Sequence, residues 1–318
     1  MASILALYPG QGSQSPLMAT DLYQASKKVR DLFQLAGEIA GRNLYALVSE
    51  GSEDDLKPTQ ASQFVITLAN RSAQIRLEET GHTFVGHSGF SLGELSAYAG
   101  AGILDDTTLF TIVKRRSELM DEEARKAQQR YGELGMAAVI GLGFAAVNTI
   151  LEEARLPGLY ASNDNGPQQV VLSGLTESML KAKDLLTEAG ARRVIPLKVS
   201  GPFHTPFMQE ATTGFRAFLD SLSFCDPTSL VLSSVDGSPI KDGEDAKDHL
   251  ARQLAQPVRW TSVLGEVAAL VQQTGAQVAE VGYGNVLCGL CKNSKLDISC
   301  IALGQETAIQ TFGKEIRQ

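Results

Sequence analysis

Residues 89–93 read Gly-Phe-Ser-Leu-Gly, followed by Glu94 and a run of small residues, Leu95-Ser96-Ala97-Tyr98-Ala99-Gly100. Just upstream, Phe84-Val85 has the apolar character of a strand end. A serine pinched between glycines at a strand-to-helix junction constrains this chain more than any other feature. The glycines admit a tight, strained bend without Cβ clashes, so the Ser91 hydroxyl projects from the turn. The helix that follows points its unpaired N–H groups at any negative charge developing nearby. That is the geometry of a nucleophile elbow, and it names Ser91 Oγ as the candidate nucleophile; taken alone, the pentapeptide also fits an ordinary glycine-rich turn. Gly86-His87-Ser88-Gly89-Phe90 looks alike, but Phe90 stands where the second glycine belongs, so Ser91 is preferred to Ser88.

The chain has 318 residues, enough for one large domain or two unequal ones, and 43% of them are apolar, enough for a substantial core. Its apolar run Met136–Val147 is too short to span a bilayer and is broken by Gly141 and Gly143. The start, Met-Ala-Ser-Ile, lacks a basic n-region, so a soluble, cytoplasmic protein without a membrane association is expected. A net charge of −8 argues against nucleic acid as the main partner, while leaving room for a small anion at a local cation. Cys288 and Cys291 form a single CxxC with no second pair and no nearby histidine, in an apolar segment, and are read as buried structural thiols, with no metal site.

Ser3–Tyr8 reads as a strand, stopped by Pro9-Gly10-Gln11-Gly12-Ser13-Gln14. That turn lacks both GxGxxG and the Walker lysine, so its use is to bring backbone N–H groups and a polar side chain close to a reacting centre. Helical patterns follow over 26–39 and 62–77, and Asp105-Asp106 caps a helix through Met120. From Gly132 the order becomes β-α-β-β-α-β: strands at 135–140, 159–163, 169–173 and 193–198, helices at 145–154 and 176–189. This is the ferredoxin-like arrangement. The expected fold is therefore α/β, a large α/β-hydrolase-like domain with a parallel sheet (residues 1–131 and 199–318) and a small inserted ferredoxin-like subdomain (132–198). Helices near 206–221 and 245–255 return the chain to the large domain, and strands near 229–235 and 277–281 would complete its sheet.

A serine nucleophile needs a base, and the chain has four histidines. His82 and His87 lie on or beside the strand feeding the elbow, and proximity in sequence does not give them the right approach. His249, in Asp245-Ala246-Lys247-Asp248-His249, reads as a solvated helical position. His204 sits in Gly201-Pro202-Phe203-His204-Thr205-Pro206, where two prolines fix the backbone around one imidazole. That suits a positioned base, although on these residues alone a plain loop histidine is the alternative.

Several motifs, in order, now carry a resemblance. Pro9–Gln14 is similar to the N-terminal GQGSQ of malonyl-CoA:acyl carrier protein transacylases and of polyketide synthase acyltransferase domains. Gly89–Glu94 resembles their GHSLGE elbow, and Arg116-Ser117-Glu118-Leu119-Met120 their arginine segment. Asn163-Asp164-Asn165 with Gln169-Val170-Val171 resembles their Asn-x-Asn…Gln-Val-Val strand, Gly201–His204 their histidine loop, and Arg252-Gln253-Leu254 with Pro257-Val258-Arg259-Trp260 their late glutamine helix. The resemblance spans residues 5 to 293.

It implies a ping-pong transfer of malonyl from malonyl-CoA to the phosphopantetheine thiol of acyl carrier protein, in fatty acid biosynthesis, with no cofactor because the CoA thioester is itself a substrate. Ser91 would attack and His204 serve as base, oriented by a backbone carbonyl. The N–H groups of Gln11 and Leu92 would form the oxyanion hole. Arg116 would clamp the malonyl carboxylate, Gln253 orient the acyl group or the arginine, and Asn163 and Phe203 contribute to the substrate site, Phe203 leaving little room for an α-methyl branch. Members of the family are typically monomeric. Arg192, Arg193, Lys198 and Lys292 are candidates for a basic patch meeting the acidic carrier protein. Two positions depart from the pattern: Phe90 stands for the usual histidine before the nucleophile and Tyr283 for a usual proline. Alternative readings are a serine hydrolase or thioesterase of the α/β-hydrolase type, whose chain order is Ser…Asp/Glu…His, a related transacylase of malonate decarboxylation, or a non-catalytic carrier-docking subunit.

Overall fold

Strand β1 (Ser3–Tyr8) is buried at every position after Ser3, as a strand covered on both faces must be. Its side chains divide by parity: Ile4, Ala6 and Tyr8 enter one core, Leu5 and Leu7 another. In the computed structural model, which describes residues 3–197 and 201–315, β1 is the middle of a parallel sheet. β2 (Thr83–Gly89) flanks it on one side, and the further strands are β3 (Leu134–Ile140), β4 (Leu159–Gly166), β5 (Gln169–Leu175), β6 (Arg193–Pro196), β7 (Leu230–Leu232), β8 (Gln277–Glu280) and β9 (Cys300–Ala302). The large sheet has the order β7-β2-β1-β8-β9, with every pairing parallel. Helices Thr59–Glu79, Gly93–Gly100 and Asp106–Tyr131 cover the Ile4/Ala6/Tyr8 face; Trp260–Thr274 and Val286–Asn293 cover the other.

The second sheet, β4-β5-β3-β6, is antiparallel throughout. With helices Phe144–Glu153 and Thr176–Glu188 between its strands, it is the expected ferredoxin-like unit. Ala137, Val139, Val170 and Leu172 pack against those helices, which leaves Met136, Ala138, Gln169 and Val171 on the opposite face. A bulge in β4 matters here. Ala161 pairs with Leu172 and Asn163 with Val171, so Ser162 is the extra residue. One inserted residue exchanges the faces of those that follow it, here as far as a second irregularity between Asp164 and Gly166. Leu159 and Ala161 enter the subdomain core, whereas Asn163 and Asn165, of the same parity, turn to the other side.

The structure corrects several expectations. The parallel sheet does not end at β8, since β9 pairs with it. The helices Thr20–Ala25, Leu44–Glu50, Trp260–Thr274, Val286–Asn293 and Glu306–Glu315 add to those that the sequence pattern indicates. His249 is buried rather than solvated: its Nδ1 lies 2.9 Å from the Asp245 carbonyl, and the 236–238 turn covers its Nε2. Cys291 is buried as expected, but Cys288 is only half-buried, its Sγ 3.2 Å from that of Cys300 on β9. Lys198 and the boundary at 198/199 lie outside the described residues. Among the described residues no helix is long and apolar enough to cross a membrane.

Ser88 proves to be part of the sheet. It is fully buried in β2, and its Oγ donates 2.9 Å to the Leu232 carbonyl on β7. Ser88→Ala should therefore cost about 1 kcal/mol of unfolding free energy in a denaturant titration, the usual net worth of one such bond, and should leave a probe bound covalently at Ser91 unaffected.

Candidate active site

β2 ends at Gly89, and the chain turns at once into the helix Gly93–Gly100. The turn closes through the Phe90 N–H to the Tyr8 carbonyl (2.9 Å) and the Glu94 N–H to the Ser91 carbonyl (3.0 Å). Ser91 adopts φ 51°, the left-handed region, which for a side-chain-bearing residue stores strain of about 1–3 kcal/mol. Both flanking glycines are obligatory. A Cβ at Gly89 would lie 1.9 Å from the Gly93 carbonyl carbon, and one at Gly93 would lie 2.1 Å from the Tyr8 carbonyl oxygen. The Ser91 hydroxyl thus projects from a bend that the backbone of β1 holds in place. The N–H groups of Leu92 and Gln11 have no hydrogen-bond partner among the described residues, so both are free to bind an anion.

His204 Nε2 lies 2.7 Å from Ser91 Oγ, and His204 Nδ1 lies 2.7 Å from the Gln253 carbonyl. A carbonyl only accepts, so Nδ1 carries the proton and Nε2 is left to accept the serine's. The loop is tied down locally. The His204 N–H donates to the Leu254 carbonyl (3.1 Å), the Thr205 hydroxyl to the Pro202 carbonyl (2.6 Å), and His204 itself sits at φ 61°. Burial, and then the nearby Arg116 cation, push the imidazole down to about 4, partly offset by the bond to Gln253. At neutral pH it is an unprotonated base.

Arg116, from the long helix Asp106–Tyr131, is 1% exposed. Its Nη2 lies 3.4 Å from Ser91 Oγ and 3.1 Å from Gln253 Oε1, and its Nε has no partner. Burial lowers its pKa to about 10, with Glu94 working against that, so it stays cationic. Among the described residues no carboxylate lies within ion-pair distance of it. A buried cation with a free donor and no paired anion is costly unless an anion arrives.

A cavity of about 200 Å³ opens at Ser91, between the two sheets. Gln11, Ser91, His204, Phe203 and Asn163 line it; Arg116 and Gln253 meet the site through Ser91 instead, and Leu92 lies buried behind it. The opposite wall is the outer face of the antiparallel sheet, Met136, Ala138, Gln169 and Val171, joined by Asn163 and Asn165 through the β4 bulge. Asn165, given no role from sequence, is nearly buried there with an unpartnered Oδ1. Met120, one helical turn beyond Arg116 and on the same face, also lines the cavity. It stands at i+4 from the arginine and closes the same motif segment. Phe90 forms part of the wall and stacks edge-on against buried Trp260, ring centroids 5.3 Å apart. Val286, Leu290 and Leu197 also line the cavity, the first and last of them exposed at its mouth. Lys292 follows on the helix of the first two; Arg193 lies on the strand leading to the third and Arg192 just before it; all three cations are exposed.

The acyl transferase domain family matches residues 6–281. The malonyl CoA-acyl carrier protein transacylase of Bacillus subtilis is 32% identical, over 99% of this chain and 99% of its own length. An acyl carrier protein S-malonyltransferase from Vibrio cholerae superimposes with a TM-score of 0.90 at 32% identity, over 98% of this chain and 100% of that one. A malonyl-transacylase solved in complex with its type II polyketide acyl-carrier protein superimposes equally well, TM-score 0.90 at 31% identity, over 99% and 100% of the two chains.

The low pKa of His204 gives a pH signature. Acylation of Ser91 by a neutral activated ester should hold steady down to about pH 5 and fall with a midpoint near 4, where Nε2 becomes protonated. Because the folded imidazole lies below its unfolded range, protonation favours the unfolded chain. Stability should therefore decline as pH falls from the ordinary imidazole range toward 4, and decline less in His204→Gln, as chemical denaturation at several pH values would read.

Proposed function

We propose a mechanism on one premise: the chain belongs to the acyl transferase domain family. It is an acyltransferase that moves malonyl from malonyl-CoA to the phosphopantetheine thiol of acyl carrier protein. Ser91 Oγ attacks the thioester carbonyl while His204 Nε2 takes its proton. The Gln11 and Leu92 N–H groups hold the oxyanion, each contributing roughly 2.7–4 kcal/mol by analogy with comparable donors. As the tetrahedral intermediate collapses, the C–S bond breaks, His204 returns the proton to the CoA sulfur, and malonyl remains esterified to Ser91. The carrier thiol then gives its proton to His204, attacks the ester, and Ser91 recovers its hydrogen. Arg116 binds the free carboxylate of malonyl through its planar fork.

One observation carries the choice of acyl group: a fully buried guanidinium beside the nucleophile with a free donor and no ion-pair partner. The hydrolase reading is disfavoured because a backbone carbonyl, and not a carboxylate, holds His204 Nδ1. Residues 1–131 and 199–318 form the catalytic domain in this reading and 132–198 the inserted subdomain. One chain supplies every site group, which suits a monomer, and a cytoplasmic setting suits substrates built on CoA and carrier protein.

Incubation with malonyl-CoA and carrier protein, followed by mass analysis, should find malonyl on Ser91 and none in Ser91→Ala; a label that persists there would discard the nucleophile. Arg116→Ala should lower malonyl transfer by one to several orders of magnitude, each about 1.4 kcal/mol, and acetyl transfer far less. An equal fall for both acyl groups would make Arg116 structural.

Arg192, Arg193 and Lys292, flanking the mouth, fit an acidic carrier protein. Charge reversal at all three should raise the KM for carrier protein and spare that for malonyl-CoA, whereas parallel changes in both would dismiss the patch.

A further inference from the structure

Glu94, the residue after the elbow glycine, is fully buried in the first turn of its helix. Its Oε1 accepts from the Tyr98 hydroxyl and the Ser233 hydroxyl, both at 3.0 Å. Its Oε2 accepts from the Ser234 N–H (3.2 Å), the Ser234 hydroxyl and Gln253 Nε2 (2.6 Å). Every partner donates, so the cage is built for a carboxylate, yet no cation touches it. Burying a charge this way is expensive, and a packed apolar residue would be cheaper. The purpose shows on the far side of Gln253. The same Nε2 donates to the Ser91 carbonyl (3.1 Å), and Oε1 accepts from Arg116 Nη2 (3.1 Å). Turning the amide over would set its oxygen against the carboxylate and its NH₂ against the guanidinium, which pays on neither side. Negative and positive charge therefore face each other across one amide dipole.

We propose that Glu94 is a positioning residue of the transfer reaction: through the fixed amide of Gln253 it aims the Arg116 guanidinium at Ser91, and it is the counter-charge that holds the arginine there while the acyl site is empty. The proposal rests on Arg116 being the malonyl clamp. It places acyl selectivity partly in a residue that never meets the substrate.

The test is Glu94→Gln, equal in shape and without charge, assayed with malonyl-CoA and acetyl-CoA. Malonyl kcat/KM should fall about tenfold or more, mainly through KM, because a misaimed clamp weakens ground-state and transition-state binding alike. Acetyl transfer should fall by much less, and Glu94→Asp should recover part of the loss. In an Arg116→Ala background, Glu94→Gln should leave the malonyl-to-acetyl ratio unchanged, since residues acting through one path are not additive. Equal losses for both acyl groups, or an undiminished effect in the Arg116→Ala background, would overturn the proposal. Should Glu94→Gln not fold, Ser234→Ala, which removes one hydroxyl linking Glu94 to Gln253, takes its place; a selective malonyl loss supports the proposal and any other pattern rejects it. If Arg116→Ala itself fails to separate malonyl from acetyl, the clamp falls first. If it separates them and Glu94→Gln does not, only the role of Glu94 falls.

Discussion

The reacting groups depend on one fully buried glutamine. The Gln253 side chain bonds to the Ser91 carbonyl, to Glu94 and to Arg116, while its own carbonyl orients His204. Four groups from three separate segments meet at this residue, and its helix, Gly243–Gln253, ends there. The last turn of a helix leaves carbonyls without intrahelical partners. Gln253 puts one of those free carbonyls to use on the imidazole, so the end of the helix and the protonation state of the base are a single structural fact. No aspartate is required for that purpose, and placing one in so dry a site would add a second buried negative charge beside Glu94.

Much of the architecture was legible because it rests on local rules. The elbow follows from glycine sterics within five residues. The long helix follows from Asp105, whose side chain caps the Thr108 N–H at 2.7 Å. The β-α-β-β-α-β unit follows from alternating periods of apolar residues. What could not be read locally depends on distant partners. His249 sits among charged neighbours in sequence, and only the fold of the 236–238 turn reveals its burial. β9 is three residues long and owes its strand character to β8. The helix Val286–Asn293 reads as merely apolar until the sheet face it covers is known.

The site divides the same way. Ser91 and His204 stand out because strained backbone and flanking glycines or prolines mark them. Arg116, Gln253 and Leu92 carry no such mark and were reached through the resemblance. Asn165 and Glu94 escaped a role altogether, for opposite reasons. The facing of Asn165 is reversed by a bulge that alternation cannot foresee. Glu94 looks like an ordinary favourable acid in a helix's first turn, and its four partner residues beyond that turn's own backbone come from as far away as Ser233, Ser234 and Gln253.

The cavity lies between two sheets with separate cores. Nucleophile, base and arginine belong to the parallel sheet and its helices, and the facing wall belongs to the antiparallel one. On that wall Ala138, Gln169, Asn163 and Asn165 point away from the subdomain's own core, whereas Met136 and Val171 join the core of the large domain. Acyl-chain preference can thus change at those four positions without drawing on either core. An insertion or deletion of one residue in β4 would re-tailor the pocket in a single step, whereas no comparable shift is open to the elbow, where a lone methyl group already collides with the backbone of β1.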